Sequence, residues 1–103
     1  MKVQLNTDKN IHGDEALASH VETVVDSALG RFRSQITRIE VHLSDINAGK
    51  SGAADKRCVM EARLEGRPPV VATDDADTVG AAVSGAVGKL QRLLDSSLGK
   101  LGH

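Results

Sequence analysis

A chain of 103 residues suits a single domain over residues 1–103, since a core of this size is complete at about 100–150 residues. With 40% apolar and 26% charged residues the composition excludes a disordered chain, and a net charge of −1 excludes any global pull toward RNA or lipid. Phe32 is the only aromatic residue, which excludes a stacking platform for bases and leaves the core to Val, Leu, Ile and Ala.

Val3 and Leu5 alternate with Lys2, Gln4 and Asn6, the pattern of a short first strand. From Asp14 the period changes: Leu17, Val21, Val24/Val25, Ala28 and Phe32 recur at three and four and predict an amphipathic helix. Asp14 is its expected N-cap, and Gly30 weakens the last turn, so fraying is expected near Arg31–Ser34. Alternation returns from Ile36 to Leu43, with Ile39, Val41 and Leu43 inward and Arg38, Glu40 and His42 outward. Residues 44–55, rich in Gly, Ser, Asn and Asp, read as a loop.

Lys56 to Glu65 is the next strand, with Cys58, Met60, Ala62 and Leu64 inward. A turn at Glu65-Gly66-Arg67-Pro68 leads to a short last strand, Val70–Thr73, started by Pro69. A second helix follows from about Asp77 to Leu98, with Val79, Val83, Ala86, Leu90, Leu93/Leu94 and Leu101 on one stripe. Two amphipathic helices and strands with one apolar face each predict an α+β fold of order β-α-β-β-β-α. Its two helices pack on one face of a four-stranded mixed sheet. The long first connection makes the first pairing parallel, and the others are hairpins.

The motifs that imitate chemistry are weak. Gly49-Lys50-Ser51 resembles the end of a phosphate-binding loop, but Ser44 stands where that loop needs another Gly, so a solvated hairpin loop is expected. Asp74, Asp75 and Asp77 are expected to serve the N-terminus of the second helix rather than a divalent metal. His12, His20, His42 and His103 form no metal-ligand spacing, and His20 is expected to be packed at the edge of the first helix's stripe. Cys58 is the single cysteine, which excludes an intrachain disulfide and predicts a small core residue. No catalytic residue, metal or cofactor is expected, and no small-molecule substrate.

The start of the chain reads as a strand rather than an apolar leader, and no run reaches the roughly 20 apolar residues that span a bilayer. The expected compartment is the cytoplasm, without membrane contact. On the sheet's outward face Arg38, Glu40, His42, Arg57, Glu61 and Arg63 mix signs, as cross-strand pairs do. On the second helix Lys89, Arg92 and Lys100 return to roughly one side, with Ser96 in the gap. Such a row either grips phosphates or serves as a solubilising face that offsets the helix dipole, and spacing alone favours the second.

The whole chain resembles the family of ribosome hibernation promoting factors and ribosome-associated inhibitors (sigma-54 modulation protein-like), in its short form. The resemblance rests on the opening strand with Asn10-Ile11, Asp14-Glu15-Ala16-Leu17 and His20-Val21, and on Phe32 ahead of Ile39-Glu40-Val41-His42-Leu43. It continues through Ala81-Ala82-Val83 and Val87-Gly88-Lys89-Leu90-Gln91-Arg92. It implies a non-enzymatic factor that binds rRNA of the small ribosomal subunit in the channel for messenger and transfer RNA. Such a factor silences translation in stressed or resting cells. Lys89, Arg92 and Lys100 match family cations on the second helix, and Arg31 is the nearest charge at the end of the first.

The chain departs from the family where Ala18, Val24 and Ser27 replace frequent first-helix cations, and where Ser96 replaces a second-helix one. Glu15, Glu22 and Asp26 make the first helix acidic, which supports an alternative: a protein-interaction module of the same fold with lost rRNA affinity. The family's long form carries an additional C-terminal dimerisation domain, which this chain, ending at His103, is expected to lack.

Overall fold

A computed structural model describes residues 1–46 and 55–98. The loop motif Gly49-Lys50-Ser51, together with Lys100, Leu101 and His103, lies outside the described residues. The elements in order are β1 (Lys2–Thr7), α1 (Glu15–Leu29), a 3-10 turn (Gly30–Phe32), β2 (Ile36–Asp45), β3 (Lys56–Leu64), β4 (Val70–Ala76) and α2 (Val79–Leu98). The sheet order is β1-β2-β3-β4, with β1 parallel to β2 and the other two pairs antiparallel. This is the expected α+β arrangement.

Register follows the apolar pattern. Val3 stands beside Ile39 and Leu5 beside Val41, while Ile39, Val41 and Leu43 face Ala62, Met60 and Cys58 across β2 and β3. A slip of one residue would turn these side chains outward, so burial itself holds the register. Strict alternation would put Ile36 on the opposite face from Ile39. An irregularity between Ile36 and Arg38 instead adds one residue to β2, and both isoleucines are buried. Thr37, the extra residue, donates its hydroxyl to the Arg63 carbonyl at 3.1 Å.

The strand ends are tied by Asp8. Its carboxylate accepts from the Asn10 N–H at 2.9 Å and the Asp45 N–H at 3.0 Å, and its own N–H donates to the Leu43 carbonyl. These bonds turn the chain from β1 toward α1, with Ile11 buried beneath the turn. Asp14 caps α1 as expected, accepting from the Leu17 N–H at 2.9 Å from an extended backbone.

The buried stripe of α1 is Val21, Val25 and Leu29, continued by Phe32 in the 3-10 turn. Leu29 was missed by the sequence pattern, while Leu17, Val24 and Ala28 only flank the core. The helix tightens at Gly30, slightly earlier than expected, because burying Phe32 requires a sharper turn than α-geometry provides. His20 is exposed, contrary to its expected packing: the strict four-residue step through Val21, Val25 and Leu29 rotates it off the buried side.

The aspartates before α2 also differ from expectation. β4 runs on to Ala76, so Asp74 and Asp75 are strand residues and not helix caps. Thr78 caps α2 instead, its hydroxyl accepting from the Ala81 N–H at 3.1 Å. The buried face of α2 is Ala82, Val83, Ala86, Val87, Leu90, Leu94 and Leu98, and Leu93 falls outside it, exposed.

The small residues of α2 let it approach the sheet closely at Gly85. A Cβ added there would overlap the Asp74 carboxylate and come within 3.1 Å of the Asp74 Cβ. At Gly80, also in α2, nothing lies within 4 Å. Gly85→Ala should therefore destabilise the fold by about 1–2 kcal/mol, overpacking outweighing the helix propensity of alanine. Gly80→Ala should be neutral or stabilising. Thermal melts of the two variants check this: Gly85→Ala melting at or above wild type would mean that the notch has room to spare.

Candidate nucleic-acid interface

The surface to test is the outward side of α2 with the end of α1. The resemblance named Arg31, Lys89, Arg92 and Lys100 there, and Lys100 lies outside the described residues. Positions three apart on an α-helix are rotated by about 60°, so Lys89, Arg92 and Asp95 fan across the exposed side of α2. Lys89 stands at the β4 side of this fan, Asp95 at the α1 side, and Arg92 between them.

Lys89 is not free. Its ammonium lies 2.9 Å from the Asp74 carboxylate and donates to the Thr73 carbonyl at 3.0 Å, clamping α2 onto the β4 edge. Asp74 fills the notch at Gly85, one helical turn before Lys89. Arg31 leaves the 3-10 turn with its guanidinium over the Phe32 ring, 4.7 Å from the centroid, and pairs with Asp95 on α2. Arg33 pairs back onto Asp26 of α1. Arg92 makes no ion pair among the described residues. The structure thus brings Arg31 to the Asp95 carboxylate and lays the Arg92 guanidinium back beside Gly88, while Lys89 is drawn off toward the sheet.

The open sheet face is also paired. Glu40 in β2 receives Arg38 at 2.9 Å and Arg63 at 2.8 Å, and Arg63 reaches Glu61 at 3.0 Å. Arg57 takes the Asp75 carboxylate through two bonds, at 2.8 and 3.0 Å. The arginines beside them hold both Glu40 and Asp75 below the ordinary carboxylate range, against a smaller opposing effect of desolvation. Asp75, first read as serving the helix, is therefore a cross-strand partner. Lys56 sits between Asp55 and Asp45 at the ends of β2 and β3, and these acids raise its pKa.

Cys58 faces the core, fully buried, and burial with a smaller push from Asp74 raises its thiol to about 12. It remains a neutral thiol at neutral pH, without the thiolate that nucleophilic chemistry requires. Among the described residues no group of three or more His, Cys, Asp and Glu could hold a metal ion, and no helix is long and apolar enough to cross a membrane. An open groove beside β1 is lined by Met1, Lys2, Val3, Glu22, Thr23 and Asp26. Glu22 and Asp26 there offset the charge of Lys2, which leaves it no net attraction for phosphate.

Sequence reasoning placed the cations but missed their internal partners. Asp95 lies three residues after Arg92, so its place on the same helix side was visible in the spacing. Asp74 was hidden, because β4 had to extend beyond Thr73 before that carboxylate faced α2.

The element order, sheet order and two helices on one face define this class of protein: a small α+β domain with a mixed four-stranded sheet. The profile of the "Sigma 54 modulation protein / S30EA ribosomal protein" family matches residues 6–101, and the chain belongs to that family. Among solved structures it is similar to the Protein Y N-terminal domain of Thermus thermophilus, at a TM-score of 0.75 and 22% identity over 94% of this chain and 99% of that one. A ribosomal subunit interface protein from Coxiella burnetii matches at a TM-score of 0.73 and 18% identity, over 94% of this chain and 97% of that one. At these identities the likeness establishes the fold. No curated protein sequence matches the chain at a significant level.

The lowered carboxyls of the sheet face set a pH dependence. A carboxylate whose folded pKa is depressed stabilises the fold above its unfolded pKa and ceases to do so as pH falls through the folded value. For Glu40 the loss begins near the ordinary value of 4.5 and continues below it. The melting-temperature gap between wild type and Glu40→Gln should be constant near neutral pH and close on acidification below about pH 4.5. A gap that stays constant down to about pH 3 would mean that the Arg38–Glu40–Arg63 cluster contributes nothing as an ion network.

Proposed function

We propose that this protein is a non-enzymatic ribosome-binding factor that silences translation from the small ribosomal subunit. The observation that carries the proposal is family membership across residues 6–101. The helix surface around Arg31, Lys89, Arg92 and Lys100 is the proposed rRNA contact, acting on phosphates rather than bases. Charge is suited to this and a platform of Phe, Tyr or Trp is not, since Phe32, the chain's only residue of these types, is buried. The cytoplasm and the stressed or resting cell are the setting that such a role requires.

A second reading has its own observation. Glu15, Glu22 and Asp26 are exposed on α1, and internal acids hold Arg31, Arg33 and Lys89. A module that has exchanged rRNA for a protein partner would carry such a surface.

Co-sedimentation with purified small subunits across a salt series separates the two. Four phosphate contacts predict a loss of affinity of roughly 100-fold between about 50 and 200 mM salt, and Lys89→Glu with Arg92→Glu and Lys100→Glu should abolish binding. No binding at the lowest salt would overturn the ribosomal reading. The protein-partner reading instead expects Glu15→Lys, Glu22→Lys and Asp26→Lys to disrupt a complex isolated from cells while ribosome profiles stay unchanged.

A further inference from the structure

The exposed side of α2 carries an acid, Asp95, after two of its cations, Lys89 and Arg92, and among the described residues that acid is engaged with a cation from another element. Arg31 comes from the 3-10 turn after α1, Asp95 from α2, and the two side chains are 57% and 47% exposed. Arg92 precedes Asp95 by three residues on the same helix and has no ion pair among the described residues. We infer that Asp95 is an internal competitor for phosphate: it occupies the Arg31 guanidinium and sets how strongly this surface binds a polyanion. The inference deepens the ribosomal reading and rests on it for the identity of the polyanion.

The argument is one of exchange. An arginine already paired with a carboxylate must give up that partner to neutralise a phosphate. Its transfer therefore yields less net neutralisation, and frees fewer of the cations condensed on the polyanion, than that of a free arginine. The transfer also leaves Asp95 unneutralised beside the incoming phosphate, where it repels the backbone that Arg31 attracts. The pair is nevertheless open to exchange. Both partners are about half exposed, a setting in which an ion pair is worth little, and a guanidinium accepts two oxygens of a phosphate as readily as those of a carboxylate.

Lys89 offers a contrast. Its partner Asp74 is only 24% exposed and packs at Gly85, and the Thr73 carbonyl takes a second bond. Lys89 is built into the seat of α2, whereas Arg31 is held in reserve. The difference singles out Asp95, and not Asp74, as the residue that regulates affinity.

A double-mutant cycle tests this, with wild type, Asp95→Asn, Arg31→Gln and the double variant sedimented with purified small subunits across a salt series. Asp95→Asn should bind about three- to tenfold more tightly at low salt and steepen the logarithmic salt dependence by about one. In the Arg31→Gln background most of that gain should vanish. Asp95→Ala, run in parallel, guards against an effect peculiar to the amide, and thermal melts check that each variant is folded. No gain, or an equal gain in both backgrounds, would overturn the inference while leaving the ribosomal reading intact if wild type binds. If no variant binds subunits, the ribosomal reading falls, and elution from a heparin column decides the inference alone. Later elution of Asp95→Asn that depends on Arg31 supports it, and unchanged elution overturns it.

Discussion

Two helices must cover one sheet face using almost nothing but aliphatic side chains, and the other features of the structure are adjustments to that requirement. Val21, Val25 and Leu29 from α1 and Val83, Leu90 and Leu94 from α2 meet Ile39, Val41, Met60 and Cys58 on the sheet. With one aromatic ring available, large gaps go unfilled unless backbones draw close, since interiors pack at nearly crystalline density. The alanines and glycines of α2 permit that approach. The irregular residue at Thr37 returns Ile36 to the core, and the tightened turn after Leu29 brings Phe32 to it. Each is a local departure from regular geometry made for burial.

Charge is organised around the same division of faces. On the open side of the sheet, acids and arginines stand on neighbouring strands at spacings that favour pairing, and they form a connected lattice from Arg38 through Glu40 and Arg63 to Glu61. On the helix side, ion pairs join different elements: Lys89 to β4 and Arg31 to α2. The first set satisfies a surface. The second draws on the cations that the family resemblance assigns to rRNA, Lys89 in the seat of α2 and Arg31 in an exposed pair open to exchange.

The fold was largely legible in the sequence because its evidence is periodic and local. The switch from a period of two at Val3 and Leu5 to three and four after Asp14, then back at Ile39, named the elements and their inward faces. Asp14 as N-cap was equally readable, since a cap is a matter of adjacent residues. What escaped was whatever depends on a partner distant in sequence. β4 was cut short at Thr73 because two aspartates look like helix-start chemistry until Arg57 is seen opposite Asp75. His20 was placed in the packed edge because a stripe through Val24 and Ala28 is as regular as the one through Val25 and Leu29 that is buried. For the candidate surface, spacing named Lys89 and the resemblance named Arg31, while their engagement with Asp74 and Asp95 required the tertiary structure.

The notch at Gly85 has a consequence beyond close packing. A carboxylate lodged against Gly85, a position without a side chain, acts as a key in a slot that opposes sliding and rolling of α2. Lys89, one turn on, closes the slot from the other end. An apolar stripe alone tolerates small rotations, because aliphatic contacts are non-directional. The keyed carboxylate narrows that tolerance, and with it the range of azimuths open to the exposed residues of α2. The azimuth of the helix's outer surface is thus steadied by a glycine on its underside.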